Sequence, residues 1–246
     1  TLWDDQEPQA EKYRADYNRA IKARLEETYY EPISAWCRQH GVQLAGHPDA
    51  SDDIGILHYF DLPGQDLVLR YVEPDKTTAL EGRHSTMGKC ASSAMVHLGA
   101  RRNSNEFAGA YGHQLTFTEY RWLALWLLIR GCNLLIPHAF YYSIRGPRID
   151  ERPRDVGLHS PWWGNYARFS DLTRKICWLN TDSQQVCGTA ILGLSDFLPW
   201  GAAKVCFQHQ HDFNYLTIGD LLRRVERTED GLQIADMTYR LLVQGF

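Results

Sequence analysis

Along the first 180 residues, stretches with apolar residues at helical spacing alternate with single short apolar runs. A chain satisfies that rhythm by laying helices over a parallel sheet, so it constrains the fold more than any other feature. From about Glu11 to His40, Tyr13, Tyr17, Ile21, Leu25, Tyr29, Ile33 and Trp36 or Cys37 mark one long amphipathic helix. Gly41 stops it and Pro32 is placed to kink it. A buried strand, Val42 to Ala45, follows and ends in Gly46-His47-Pro48-Asp49. Asp66 to Val72 reads as a second strand and Ser85 to Leu98 as a helix ending at Gly99. The polar stretch Arg101 to Glu106, leading into Phe107-Ala108-Gly109, has poor strand propensity, but its place between two helices predicts a third strand. Thr116 to Glu119 has the spacing of a capping box, opening a helix that carries Trp122, Leu123, Trp126 and Leu127 and stops at Gly131. Leu134 to Ile136 opens a fourth strand that ends in Pro137-His138-Ala139-Phe140-Tyr141-Tyr142. A loop rich in Arg, Pro and Gly precedes a helix over Pro161 to Leu179.

Four βα units are half of an eightfold barrel, and half a barrel leaves sheet edges and a face uncovered. The expectation is therefore a segment of a longer enzyme, or a half-barrel that dimerises to close its sheet. After Asn180 the rhythm changes. Val186 to Leu192 reads as a buried strand, Leu216 to Val225 as a helix and Tyr239 to Val243 as another strand, the opening of a second α/β domain. Residues 1–180 and 181–246 are thus expected to be two domains.

Composition excludes several classes of function. The formal net charge is -4 and the basic residues form no stripe, so nucleic acid is not an expected partner. The longest apolar run, Trp122 to Ile136, is broken by Arg130 and Asn133, so no membrane span is expected. Six scattered cysteines, with no CxxC pair, read as buried thiols that form no disulfide; they favour a cytoplasmic over a periplasmic location without fixing it. Eight Trp and thirteen Tyr, several beside expected loops, lean towards a carbohydrate ligand, since sugar C–H faces stack on such rings, although core packing accounts for most aromatic residues.

Taken in order, YYEPISAWCRQHGVQLAGH, YFDLPGQDLVLRYV, SSAMVHLGARRNSNEFAGAYG, LALWLLIRGCNLLIPHAFYYS, SPWWGNYARFSDLTRKICWL and QIADMTYRLLV resemble large multidomain bacterial glycoside hydrolases. These have a (β/α)8 TIM barrel followed by a flavodoxin-like domain. The α-L-rhamnosidase-like families are nearest, with β-galactosidases that carry a flavodoxin-like domain more distant. The resemblance implies an α/β chain comprising the C-terminal half of the barrel, strands five to eight, and the start of the flavodoxin-like domain. It also implies hydrolysis of O-glycosidic bonds, with a nucleophile or general base at the end of strand seven and a proton donor on strand four, upstream of Thr1.

Cleavage of a glycoside needs two carboxyl groups, one to protonate the leaving oxygen and one to attack or to activate water. Glu106, in Asn105-Glu106-Phe107-Ala108-Gly109, is the expected nucleophile or base; otherwise it is a structural partner of Arg101 or Arg102. His47 and Asp49, with Asp52 and Asp53 after them, could bind sugar hydroxyls, hold a cation through oxygen ligands, supply a second carboxylate, or form a solvated acidic loop. His138, Tyr141 and Tyr142 are expected to bind substrate, the alternative for His138 being a core histidine. Trp162 and Trp163 are expected either to stack on sugar or simply to pack. No cofactor is expected; a structural or catalytic calcium is an open alternative that the pattern does not require. His209-Gln210-His211-Asp212 is the one tight histidine cluster, but it lacks the helical spacing of a zinc site. A carbohydrate substrate and the remainder of the same polypeptide are the expected partners, with a homo-oligomer as a further option. A non-catalytic carbohydrate-binding barrel is the competing reading.

Overall fold

The computed structural model describes residues 2–150 and 154–245. The chain divides into two compact units between Leu44 and Ala45. The first contains α1 (Ala10–Leu25) and α2 (Glu31–Gln39), joined by a π-helical turn at Glu26–Tyr30. The helix expected over this stretch is continuous, but its pitch changes at the turn before Pro32. Proline has no N–H to return to the carbonyl four residues back and its ring crowds that carbonyl, and a wider turn relieves the conflict.

The second unit opens with β1 (Ala45–Gly46), β2 (Leu62–Val68), α3 (Met87–Leu98), β3 (Ser104–Gly109), α4 (Phe117–Leu128), β4 (Leu134–Pro137) and α5 (Trp163–Leu179). The four strands form one parallel sheet in the order β1-β2-β3-β4. Three strands are followed by α-helices as expected. The first is not: a 3-10 helix at Gly55–Tyr59 links β1 to β2, seated where the Gly55 N–H donates to Ser195 O at 2.7 Å. Thr116 and Glu119 form the capping box that starts α4.

The stretch Tyr239 to Val243, expected as one strand, is divided at Arg240 between two, and two strands of the first sheet lie away from their expected positions. The first begins at Ala45 instead of Val42. The second spans Leu62–Val68, not Asp66 to Val72, because Leu69 and Arg70 take left-handed backbone angles (φ 56° and 55°) that no strand continues through. Gly64 holds a strand position despite its poor propensity because a Cβ there would lie 2.7 Å from both Gly46 O and Ser104 Oγ. At the opposite end of the sheet from the site described below, the buried Asn103 and Asn133 and the partly buried Asn180 tie chain segments together. Asn133 Oδ1 accepts from the Asn103 N–H at 2.9 Å, and Asn180 Nδ2 donates to Leu128 O and Cys132 O.

The same unit continues through β5 (Thr189–Gly193), α6 (Trp200–Gln208), β6 (Asn214–Thr217), α7 (Ile218–Arg223), β7 (Glu226–Arg227), β8 (Leu232–Ile234), β9 (Met237–Tyr239) and β10 (Leu241–Gln244). A second parallel sheet has the order β10-β5-β6, and β7-β8-β9 form an antiparallel sheet inserted between β6 and β10. The change of rhythm after Asn180 marks the passage from the first sheet to the second, while both sheets lie in one compact unit. Leu216 and Thr217 complete β6 and Thr217 caps α7 by accepting from the Asp220 N–H, so the helix is shorter than Leu216 to Val225.

Helix α3 packs against β2 and against β6, which is why it is buried on almost every side. Its Ala91, Ser92, Ser93 and Ala94 are small enough for two neighbours to approach, and Ser93 Oγ accepts from the Tyr215 N–H. Near its end His97 is 2% exposed, with Nε2 2.7 Å from the Tyr239 hydroxyl, which also accepts from Asn214 Nδ2. Burial pushes the His97 imidazole down from 6.5 to about 4. A lowered histidine stabilises the fold fully above about pH 6.5, and that contribution is lost as pH falls from there through about 4. Between pH 7.5 and 4.5 the wild-type protein should therefore lose on the order of 2 kcal/mol more stability than His97→Gln. Parallel melting curves for the two would show that His97 is not the acid-sensitive group.

Candidate active site

The register of the four-stranded sheet decides which side chains meet. Asp66 pairs with Glu106, and Glu106 with Ile136, so all three leave the same face of the parallel sheet. The alternate residues Leu67 and Phe107 are fully buried in the core that includes Tyr120, Leu123 and Trp126 of α4. Ile136, on the site face, is 44% exposed. His47 directly follows β1 and His138 directly follows β4, so both stand at the carboxyl ends of their strands.

Three of the residues singled out in the sequence thus come together. His138 Nδ1 lies 2.7 Å from Glu106 Oε1, within ion-pair distance but off the line of a hydrogen bond. His47 Nε2 lies 4.0 Å from Glu106 Oε2. All three side chains are about one-third to two-fifths exposed, so the group is open on one side. Just beyond Glu106 the ladder slips by a residue: Leu67 pairs with Phe107 but Val68 with Gly109, and Ala108 bulges out at φ 65°. Such a bulge bends the strand end and re-aims the side chains beside it. Gly109 then sits where a Cβ would meet His138 Nδ1 at 3.2 Å, Val68 Cγ2 at 3.3 Å and Asp66 Oδ1 at 3.5 Å.

Asp66 was not among the residues singled out. Its Oδ1 is buried and has no hydrogen-bond partner among the described residues. Burial first, and the neighbouring Glu106 second, push its carboxyl up from 3.8 to about 6, while His47 and His138 pull it the other way. The sequence places it only at the head of the strand expected over Asp66 to Val72, and the bounds Leu62–Val68 are what put it inside an otherwise uncharged strand.

The other expected site residues lie elsewhere. Asp49 is exposed, Asp52 pairs with Arg83 at 2.9 Å, and Asp53 Oδ1 accepts from the Ile56 N–H. Arg101 pairs with Asp182 through two contacts of 2.7 and 2.6 Å, not with Glu106. Tyr142 is fully exposed; the Tyr141 N–H donates to Asp155, and Tyr141 lines a cavity of about 360 Å³ with His113, Arg148, Arg154 and His159. Neither Glu106, His47 nor His138 lines that cavity. Trp162 packs against Phe117 and Tyr120, with the Arg154 guanidinium 4.5 Å from its ring centre. Trp163 meets Phe140 and Tyr166 and is 43% exposed.

The cluster His209 to Asp212 is structural: His211 Nε2 is 2.7 Å from Thr189 Oγ1, and Asp212 pairs with Lys89 and accepts from Gln185. Among the described residues no group of three or more His, Cys, Asp or Glu is arranged to hold a metal ion, and no helix is long and apolar enough to cross a membrane. All six cysteines are free thiols.

With this geometry in place, the solved structures supply a match. A rhamnosidase from Novosphingobium sp. PP1Y superposes over 96% of the chain with a TM-score of 0.66 at 14% sequence identity. The chain shares its fold with part of that rhamnosidase. It spans only 24% of the length of that protein. No family model and no curated protein sequence matches the chain.

Proposed function

We propose that this chain forms the C-terminal half of a (β/α)8 barrel in a glycoside hydrolase, with Glu106 as nucleophile or general base. The observation that carries the reading is the convergence of Glu106, His47 and His138 at the carboxyl ends of three strands of one parallel sheet, the end at which such barrels place their active sites. The structural likeness to part of a rhamnosidase supports it. In this reading β1 to β4 are barrel strands five to eight, β5 onwards opens a flavodoxin-like domain, and the sheet face bearing Ile136 turns toward the barrel interior.

The chemistry then divides simply. Glu106 attacks the anomeric carbon or takes a proton from water, depending on its separation from the proton donor, which is placed on the part of the barrel that this chain does not include. His47 and His138, flanking it, hydrogen-bond sugar hydroxyls and fix the ring over the carboxylate. Asp49, Tyr142 and Trp163, which are exposed, are assigned to the rim that contacts the remainder of an oligosaccharide, whereas Trp162 packs against Phe117 and Tyr120 and Tyr141 lines a separate cavity.

The test is turnover of a panel of aryl glycosides by the protein that contains this chain, with an aryl α-L-rhamnoside first. Hydrolysis of one member is the expected result. Binding of sugars without cleavage of any of them would replace the reading with that of a carbohydrate-binding barrel.

A further inference from the structure

We infer that Asp66 is a positioning residue that acts through Glu106, the two carboxyls forming one coupled pair whose second negative charge sets how strongly Glu106 reacts. The inference rests on the hydrolase reading for its consequence, and on geometry for the pair itself. Asp66 and Glu106 are register partners on adjacent strands and leave the same face, so their carboxyls are near neighbours. They differ in surroundings. Glu106 is one-third exposed and has an imidazole on either side, whereas Asp66 Oδ1 is buried with no donor directed at it. Gly109 and the bulge at Ala108 leave the space into which Asp66 Oδ1 and His138 Nδ1 both project.

Among the described residues, three ionisable groups bear on the Asp66 carboxyl. His47 follows β1, Glu106 is on β3 and His138 follows β4. Tyr111, which feels the Asp66 charge, is buried, donates its hydroxyl proton to Val72 O and is held above its ordinary pKa by burial, so it contributes no charge. Burial and the Glu106 charge outweigh both imidazoles, so Asp66 keeps its proton in mild acid. When that proton leaves, as pH rises through about 6, the site gains a second negative charge beside Glu106. An anion there favours the electron-poor, oxocarbenium-like carbon of the transition state and makes Glu106 a stronger nucleophile or base.

Two measurements separate the pair from its consequence. In the first, the Asp66 carboxyl carbon is followed by 13C NMR against pH in the purified wild-type protein, with Asp66→Asn used to assign the signal. A midpoint near 6 that falls by about half a unit or more in Glu106→Gln is expected. An ordinary aspartate midpoint, or one that ignores Glu106→Gln, overturns the pair, and neither outcome depends on enzymatic activity. In the second, kcat/KM for an aryl glycoside is measured from pH 4.5 to 8. The wild-type value should rise through about 6, whereas Asp66→Asn should lose that rise and fall about tenfold behind at neutral pH, with KM little changed. An equal loss at every pH is what a merely structural residue would give, and it overturns the positioning role. A coupled titration without turnover of any glycoside supports the pair and overturns the hydrolase reading instead.

Discussion

Replacing Glu106 by Gln is expected to lower the turnover of an aryl glycoside by at least about a thousandfold, roughly 4 kcal/mol of barrier, while the protein stays folded. The amide is nearly isosteric and can still hydrogen-bond a sugar hydroxyl, but it can neither attack the anomeric carbon nor take a proton from water. The stability cost should be small, about 1 kcal/mol or less, because Glu106 and both histidines are about a third or more exposed and solvent weakens such pairs. Turnover and thermal melting of the same preparations therefore move independently. More than about a tenth of the wild-type rate in the variant, under about 1.4 kcal/mol of barrier, would take Glu106 out of the mechanism.

The second large effect is on stability. Lys89 lies in α3 with its side chain 2% exposed, and its Nζ is 2.5 Å from Asp212 Oδ1 in the turn before β6. Asp212→Asn leaves the ammonium with only a neutral amide and the Phe213 ring 5.4 Å away. Removing one member of a buried ion pair costs about 3 to 5 kcal/mol, and the lower figure applies because Asp212 is itself half open to solvent. The pH dependence has a definite sign. Burial works against the Asp212 carboxylate, but Lys89, Gln185 and the Phe213 N–H outweigh it and hold the pKa below the usual carboxylate value. The stabilisation is therefore complete above the unfolded-state value of about 3.9 and is lost as pH falls through the lower folded-state value. Urea denaturation of wild type and variant at pH 7 measures the difference, and a loss below about 1 kcal/mol would mean that water already reaches Lys89.

Much of the first sheet was legible in the sequence, because what marks its elements is local. The capping box at Thr116 and Glu119, the glycines after α3 and α4 and the spacing of apolar residues each act within a turn or two, and they placed α3, α4, β4 and α5 within a few residues. Glu106 was singled out through the resemblance to barrel glycosidases, and His47 and His138 as the residues that end neighbouring strands; the structure brings both histidines within 4.0 Å of Glu106. The region after Asn180 was less legible. Helix α6 and strands β6 to β9 are short, and β6 is held by burial and by partners far away in sequence, such as Ser93, so local propensity says little about it.

The sequence by itself determined the alternation of helices and parallel strands and the choice of Glu106 as the carboxylate to examine. Only the tertiary structure decided what stands beside it. Pairing Asp66 with Glu106 requires that β2 run over Leu62–Val68, and that register depends on the left-handed turn at Leu69 and Arg70 and on Gly64 fitting between Gly46 and Ser104. The same holds for Asp212, which reads as part of a histidine cluster until α3 brings Lys89 to it from 123 residues away. A side chain's charge and size are written in the sequence, but its burial and its neighbours are set by contacts between distant segments, and those decide whether a carboxylate keeps its proton, pairs with a lysine or faces a substrate.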